Sequence, residues 1–452
     1  WYCLRVMLPE KQRYGSWLAV LCLPSFYGVV AVFSYNEAFL TPRPFAEALC
    51  LVVIGLLARG RLASAAMCAL VAAMLHPLQA IAAGLVAWAW LVGRDRRWLH
   101  LAWLVVPTLA LAWAGIAPLD GLLHRIDDDW LAELRNSSQL FVSTWAPNDY
   151  KVLLFDILVL SYAWRALDAR FAAWCRSALV GLGLGLLASL VLVDLMQLVL
   201  PAALQLWRVH WLAHWFSVAA LGAILFRDLK AGHGSRAMIL ALTAQLAWGE
   251  SAWGWLLPAL LYAAWPPISG LVGLRISRLI GCLFGLALAL LFLQHAAGEL
   301  RAFDQAGRRL AIYPLDRGLL AFPALAFGLA LLGVWLWDAA GRHGRKARVA
   351  LAVLLLPLTA VAARAWDARS PAFHAIESAA FRSDIFGIDL PAGAQVYWNP
   401  ELMTGPWLVL LRPSYFSNSQ LSGQMFDRGT AMDGRIRESR LLPLARESLG
   451  CQ

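Results

Sequence analysis

The stretch YNEAFLTPRPFAEAL, residues 35–49, places a carboxylate and a guanidinium six residues apart between two strongly apolar runs. Pro42 and Pro44 flank the guanidinium, and proline ends a preceding helix but is tolerated in the first turn of the next. Arg43 would then lie where an apolar helix begins, and its planar fork of donors suits a phosphate. Glu37 is a candidate functional carboxylate, or else the solvated partner of an arginine that reaches lipid headgroups.

Two other polar groups interrupt apolar sequence. His76 precedes proline in MLHPLQA, where it could contact a phosphate or a sugar hydroxyl, act as acid or base, or cap backbone groups freed by the proline. Glu250 lies between tryptophans and glycines in LAWGESAWGW. A carboxylate in such surroundings needs a partner or a function, so both residues are candidate substrate-binding groups.

The stretch LQLWRVHWLAHW holds four more candidates, namely Gln205, Arg208, His210 and His214. Arg208 at a helix start would add its charge to the positive end of the helix dipole, which favours anion binding. Gln205 and His210 extend this candidate substrate site. The alternative is a belt of interfacial tryptophans with an arginine reaching the headgroups. The two histidines have i, i+4 spacing, but no third ligand is near in the sequence, so we predict no metal site.

Other acidic residues carry weaker signals. Asp127, Asp128 and Asp129 could bind a divalent cation through oxygen ligands, although a solvated loop is the favoured interpretation. Asp156 and Asp194 lie inside apolar runs and are expected to be buried hydrogen-bonding residues. No phosphate-binding glycine loop, nucleophile elbow or HExxH pattern occurs in its proper context, so no other cofactor is predicted.

The composition of the 452-residue chain indicates the elements that carry these groups. It is 61% hydrophobic and 15% charged with a mean hydropathy of +0.63, whereas a soluble domain is nearer 45–50% apolar. Apolar runs separated by short charged clusters predict an all-α polytopic transmembrane bundle of about thirteen spans. The spans are approximately 16–35, 44–58, 62–76, 78–93, 98–116, 151–166, 177–199, 211–226, 237–250, 253–268, 279–295, 318–338 and 348–364.

The basic residues behind the net charge of +10 are distributed unevenly between the two sides of the predicted membrane. Connections on one side hold 20 of the 38 lysines and arginines, and this denser side is expected to be cytoplasmic. Because the basic residues fall in short clusters between apolar runs, they are topology signals, and no nucleic-acid partner is predicted. The other side would carry outer loops near 117–150 and 296–317, and all the candidate site residues lie toward it.

The region 365–452 changes character. It is polar and contains the strand-like pieces AQVYW and WLVLLRPSYF, which predict a small extracytoplasmic α+β domain after a transmembrane domain of residues 1–364. The seven cysteines are scattered and form no CxxC or Cys/His cluster, so neither a disulfide framework nor a metal site is indicated. The sequence begins with Trp1, and we expect that a further N-terminal segment precedes it.

The stretches NEAFLTPRPFAEALCL, ARGR and MLHPLQA, with the late segment YWNPELMTGPWLVLLRPSYFSNSQLSGQMFDR, resemble the GT-C superfamily of membrane glycosyltransferases. The resemblance implies a bacterial inner-membrane enzyme, with membrane lipids around it and a polyprenyl-phosphate-linked sugar as donor. Arg43 and Arg208 would hold the phosphate, and a carboxylate would deprotonate the acceptor. GT-C enzymes carry an essential acidic residue in their first outer loop. Here Glu37 takes that role or, as we favour, the residue lies before Trp1.

Two other functions fit the same layout. An O-antigen ligase or polymerase-like enzyme also acts on lipid-linked glycans, but its Arg-x-x-x-Leu pattern occurs twice here, in RVHWL and RISRL, and so discriminates poorly. A transporter or flippase would be expected to show repeated halves and broken helices at the membrane midplane, which the sequence does not clearly show.

Overall fold

The computed structural model describes residues 1–29, 33–35, 37, 41–135, 137–249, 253–306, 315–364, 374, 377–378, 387, 390–398, 405–418 and 420–448. The structure is about 80% helical, and these residues contain no β-strand. The prediction of an all-α protein is confirmed for this part of the chain.

The described residues up to Ala188 form nine α-helices. They are α1 (Tyr2–Met7), α2 (Glu10–Cys22), α3 (Pro42–Ala58), α4 (Leu62–Leu75), α5 (Pro77–Arg94), α6 (Val105–Trp113), α7 (Asp128–Leu134), α8 (Pro147–Ala166) and α9 (Ala169–Ala188). A 3₁₀-helix, Arg96–Leu104, precedes α6, and a π-helical segment, Ser189–Leu195, continues α9.

The second half continues in the same way. Its helices are α10 (Val199–Leu204), α11 (His210–Lys230), α12 (Gly234–Trp248), α13 (Leu256–Ala306), α14 (Leu315–Leu320), α15 (Pro323–Arg342) and α16 (Arg345–Arg364), followed by a C-terminal helix, Arg428–Ser448. A 3₁₀ turn, Leu206–Val209, connects α10 to α11. The backbone of α13 is non-helical at Gly273, which divides this long helix in two.

Four of the described helical segments are long and apolar enough to cross a membrane: Ala169–Leu195, Val199–Lys230, Leu256–Gln305 and Pro323–Arg342. The predicted thirteen spans are not supported by this criterion. Helices α3 and α4 have 17 and 14 residues, and at 1.5 Å per residue they are roughly 26 and 21 Å long, less than a hydrocarbon core of about 30 Å. Most of the predicted apolar runs overlap helices, but many of these helices are short.

Helix α11 occupies the centre of the bundle. It packs against α2, α8, α9 and α12, and almost every residue from His210 to Leu225 is buried. A helix that is apolar on all sides is stable only when it is surrounded by other elements. The residues at its N-terminal end are therefore held from several directions, which matters for the site below.

The predicted span 16–35 is wrong in its second half. Helix α2 ends at Cys22, and the described residues after it, including Pro24, Gly28 and Phe33, are not helical. Proline lacks the N–H that continues a helix, and Gly28 adopts a positive φ of 61°. The connection from α2 to α3 therefore enters the bundle, where Tyr27 and Phe33 are buried.

The predicted α+β domain at 365–452 is also wrong in its strands. Within the described residues, Val396 and Ser414 form a single isolated bridge, and the run at Gly405–Val409 is π-helical. A short apolar run cannot be assigned to strand or helix from its sequence pattern alone. The 21-residue helix Arg428–Ser448 was not predicted. Met425 and Ala431 share a buried cluster with residues of 126–141 and 193–202.

Candidate functional site

Arg43 and Arg208 lie against the same aromatic ring. The guanidinium carbon of Arg208 is 4.2 Å from the centre of the Phe33 ring, and that of Arg43 is 5.1 Å from it. Arg43 is in the first turn of α3, where Pro42 begins the helix as the sequence predicted. Arg208 comes from the 3₁₀ turn before α11. Arg43 and Arg208, which are distant in the sequence, thus both contact the ring of Phe33.

Glu37 is bound to this arginine pair. Its carboxylate forms an ion pair with the guanidinium of Arg43, and its other oxygen accepts a hydrogen bond of 2.5 Å from the Thr41 hydroxyl. The side chains of Arg43 and Glu37 are only 18% and 7% exposed, so they are not a solvated surface pair. Both carboxylate oxygens are engaged, which suits Glu37 to holding Arg43 in position.

Arg208 is the more buried cation, with 5% of its surface exposed. Its Nε donates to the side-chain oxygen of Gln205, which itself has a left-handed backbone and contacts the sulfur of Met425. Nη1 is buried without a hydrogen-bond partner, and no carboxylate in the described part of the chain forms an ion pair with this guanidinium. A buried charge without a direct ion-pair partner is costly, so this side chain has unused capacity for an anion.

His76 joins the same group. It lies between α4 and α5, and its side chain makes no capping hydrogen bond, so the alternative in which it caps the proline helix is not observed. Its Nδ1 is buried and has no hydrogen-bond partner among the described residues, and the ring interacts electrostatically with Arg208, Arg43 and Glu37. His76 therefore lies within electrostatic range of Glu37, Arg43 and Arg208.

A second buried polar network joins α3, α5 and the loop after α2, and it was missed in the sequence. Gln79 on α5 donates from Nε2 to Glu47 Oε1 at 2.7 Å and to the Tyr27 hydroxyl at 3.0 Å. Tyr27 in turn donates to Glu47 at 3.5 Å, and all three side chains are buried. Glu47 follows Arg43 by four residues on α3, and this i, i+4 spacing was the signal that could have identified it.

Asp156, His210 and His214 form a fully buried triad next to the arginines. Oδ2 of Asp156 is 2.8 Å from Nε2 of His210 and 2.8 Å from Nδ1 of His214. Asp156 comes from α8, and the two histidines lie one turn apart on α11. Trp145 stacks on His210 with ring centres 6.3 Å apart.

The hydrogen-bond partners assign the protons of this triad. The backbone N–H of Gly28 donates to Nδ1 of His210 at 2.9 Å, so His210 is neutral and carries its proton on Nε2, which donates to Asp156. Nε2 of His214 lies 3.0 Å from the carbonyl of Pro24 and must donate to it. One further proton lies between His214 and Asp156, and the triad is neutral as a whole whichever of the two holds it.

The triad also supplies the third ligand that the sequence did not suggest, because two histidines and a carboxylate can hold a metal ion. The proton positions assigned above do not fit a metal site. A neutral histidine that binds metal through Nε2 carries its proton on Nδ1. In His210, Nδ1 faces the N–H of Gly28, and two donors would then oppose each other. The geometry fits a hydrogen-bonded triad that braces the Arg208 turn and the segment at Gly28.

The acidic run at 127–129 binds the C-terminal region. Arg428 forms an ion pair of 2.6 Å with Asp127, and Arg435 forms one of 3.3 Å with Asp129. Asp127 also accepts the backbone N–H of Trp130 at the start of α7. The hydrogen bond from Arg428 lowers the pKa of the Asp127 carboxyl below its ordinary value. Two of the three carboxylates that could have bound a divalent cation are thus already paired with arginines.

Two acidic predictions have different outcomes. Glu250 lies outside the described residues, so its predicted place in the site is not addressed, although Lys151 donates to the carbonyl of the preceding Gly249. Asp194, expected to be a buried hydrogen-bonding residue, accepts the backbone N–H of Ser143 at 2.8 Å through its Oδ1.

The fold and the site define a helical protein with apolar helices long enough to cross a membrane and a pair of arginines, one of them buried, at one end of its bundle. No protein-family model matches the chain, and no curated protein or solved structure is detectably similar to it.

Proposed function

We propose that this chain is a bacterial inner-membrane glycosyltransferase that uses a polyprenyl-phosphate-linked sugar. The observation that carries the proposal is the pair of arginines on Phe33, one of them buried and without an ionic partner in the described part of the chain. A guanidinium with free donors in a region of low polarity binds phosphate strongly. The resemblance of the sequence to GT-C enzymes supplies the reaction.

The reaction assigns a task to each group. The acceptor hydroxyl attacks the anomeric carbon, the bond between that carbon and the phosphate oxygen breaks, and the phosphate leaves with the electron pair. Arg43 and Arg208 neutralise the charge that develops on the leaving phosphate. A carboxylate takes the acceptor proton, and Glu37, attached to Arg43, is our candidate among the described residues. His76 and Gln205 complete the binding site.

The membrane arrangement is part of the same proposal. The arginine pair lies at the end of the bundle that holds the 117–146 connection, since Trp207 donates to the carbonyl of Gln139. The C-terminal helix pairs with Asp127 in that connection. We assign this end to the outside, because the densest basic clusters lie at the opposite end. Helix α13, at roughly 75 Å, is too long for one crossing and would supply two spans, one on each side of Gly273.

Binding of a lipid phosphate tests the arginines directly. Farnesyl phosphate is a suitable probe for the detergent-purified protein, with uncharged farnesol as the reference ligand. We expect Arg43→Gln and Arg208→Gln each to weaken binding by about tenfold or more, because each removes a charge-assisted hydrogen bond worth about 1.5–3 kcal/mol. Arg125→Gln, an exposed arginine of the same end, is the matched control and should bind normally.

The outcomes separate binding from transfer. Equal affinity for farnesol and farnesyl phosphate, or unchanged binding in both arginine variants, would reject the phosphate site. Release of polyprenyl phosphate from a panel of lipid-linked sugars measures transfer. Binding without release would favour a transporter. Glu37→Gln should weaken binding if Glu37 only holds Arg43, and should slow transfer alone if it acts as the base.

The orientation is tested by a reporter that fluoresces only in the cytoplasm. A fusion after Gln452 should stay dark if the C-terminal region is extracytoplasmic. A fusion in the turn at Gly60, between α3 and α4, should fluoresce. The reverse pattern would overturn the assignment of sides.

A further inference from the structure

A second basic site lies at the opposite end of the bundle. Five arginines line one cavity of about 950 Å³, although they come from four separate parts of the chain. Arg5 is on α1, Arg59 and Arg61 flank the turn between α3 and α4, Arg94 ends α5, and Arg170 is in the first turn of α9. A preference for positive charge on the cytoplasmic side explains basic connections, but not their convergence on one cavity.

The cavity contains no acidic counterpart in the part of the chain that the structure describes. None of its twelve described lining residues is Asp or Glu. No ion pair joins any of the five guanidinium groups to a described carboxylate. The carboxylate of Asp168 accepts the backbone N–H of Arg170 and serves as the N-cap of α9. Five like charges around one cavity repel each other and create a strong positive potential, which an anion would relieve.

Aromatic contacts hold two of these arginines in place. The guanidinium carbon of Arg94 lies 4.8 Å from the centre of the Trp90 ring, which stacks in parallel on Trp174 at 4.6 Å. Arg59 lies 4.8 Å from the ring centre of Tyr2. A guanidinium stacked by its face keeps its N–H edge free for hydrogen bonds. Such ordering reduces the entropy lost on binding and distinguishes this cavity from a mobile basic surface.

The start of α9 adds to the same potential. Arg170 is in its first turn, where the helix dipole and the backbone N–H groups that Asp168 does not cap favour negative charge. Arg59 and Arg94, in contrast, lie at helix C-terminal ends, which are suitable places for cations. The cavity thus combines stable arginine placement with an additional anion-attracting element.

We propose that this cavity binds an anion that carries at least two phosphate groups. The source is either the headgroup of a diphosphate phospholipid in the surrounding leaflet or a soluble diphosphate. The two share the chemistry that arginine recognises, and basic pockets between helices on the cytoplasmic side are suited to phosphorylated headgroups. The site is separate from the Arg43–Arg208 pair and does not depend on glycosyl transfer.

The experiment uses native mass spectrometry of the full chain in detergent. The probes are cardiolipin, phosphatidylcholine as a lipid without net charge, and inorganic pyrophosphate. The test variant combines Arg59→Gln, Arg94→Gln and Arg170→Gln. The matched control combines Arg342→Gln, Arg345→Gln and Arg348→Gln, three exposed arginines of another basic cluster. We expect one anion per chain, held about tenfold or more tighter by the control than by the test variant.

The outcomes identify the source or reject the site. Binding of cardiolipin without pyrophosphate assigns a lipid headgroup, and the reverse assigns a soluble ligand. Equal binding by the two triple variants, or phosphatidylcholine bound as tightly as cardiolipin, overturns the proposal. If the test variant loses its thermal transition, Arg61→Gln in the exposed turn replaces it and should weaken binding in the same direction. Replacing the three arginines by lysine keeps the charge but loses the fork, so binding should be intermediate.

Discussion

The backbone N–H of Gly28 donates a hydrogen bond of 2.9 Å to Nδ1 of His210, across 182 residues of sequence. This single donor decides which nitrogen of His210 carries the proton, and thereby decides that the ring donates to Asp156. The loop after α2 and the start of the central helix are therefore joined by a hydrogen bond that selects the tautomer of His210, as well as by packing.

Gly28→Ala is expected to destabilise the protein more than an ordinary strained glycine substitution. Gly28 has a φ of 61°, and an added methyl would overlap the ring of Trp207. Gly115→Ala is the matched control, since Gly115 has a φ of 74° and open space around it. The control should lose only about 1–2 kcal/mol of unfolding free energy, which is the cost of a left-handed backbone for alanine, and Gly28→Ala should lose more. Thermal unfolding in detergent measures both, and equal losses would contradict the packing argument.

Asp156→Asn should cost about 3–5 kcal/mol of stability, as expected when one member of a buried ion pair is removed. Both histidines contact the same oxygen of Asp156. In the asparagine variant, Nδ1 of a neutral His214 would need a donor at that position, whereas Nε2 of His210 needs an acceptor. No orientation of an amide satisfies both. Asp194→Asn is the control, because its amide oxygen can still accept from Ser143. A fall of the thermal midpoint that is no larger than in this control would argue against the assigned protons.

The triad should hold no stoichiometric zinc. We expect elemental analysis of protein purified without chelator to find well under one zinc per chain, and added chelator to leave the thermal midpoint unchanged. The reason is that Nδ1 of His210 is occupied by the Gly28 donor. One zinc per chain, lost in His210→Ala, would show that the triad is a metal site.

The contact between the C-terminal helix and α7 should depend on pH in one direction. Arg428 lowers the pKa of Asp127 below the ordinary carboxyl value of 3.8. The contact therefore stabilises the fold fully when the pH is above 3.8, and this stabilisation is lost as the pH falls through the lowered pKa. Amide exchange in Arg428–Ser448 should therefore accelerate only in strong acid. Asp127→Asn should already show faster exchange at neutral pH, whereas Asp128→Asn, its unpaired neighbour in the described structure, should behave as the native protein.

The sequence located single charged residues well where local chemistry determined their position. The two prolines placed Arg43 at the start of α3, and the structure agrees. The same reasoning extended α2 through residues 23–35, because the apolar composition there outweighed Pro24 and Gly28 in the prediction. The buried position of Tyr27 and Phe33 explains that composition without a helix.

Partners distant in sequence could not be predicted. Asp156 was expected to be a buried hydrogen-bonding residue, but its association with His210 and His214 depends on how α8 packs against α11. Likewise, nothing local indicates that Phe33 contacts Arg208, or that the carboxylates of 127–129 bind Arg428 and Arg435. Such pairs follow from tertiary structure, which a single sequence does not reveal.

The contact between Gln205 and Met425 has a consequence for biogenesis. Gln205 accepts from Arg208, and the residue that supports Gln205 is made 220 positions later. At about 5–20 residues per second, a ribosome needs on the order of 10–40 s to cover that interval. During this time the Arg208 turn lacks one of its supports, so the site reaches its final form only after the C-terminal region has been delivered to the same end of the bundle.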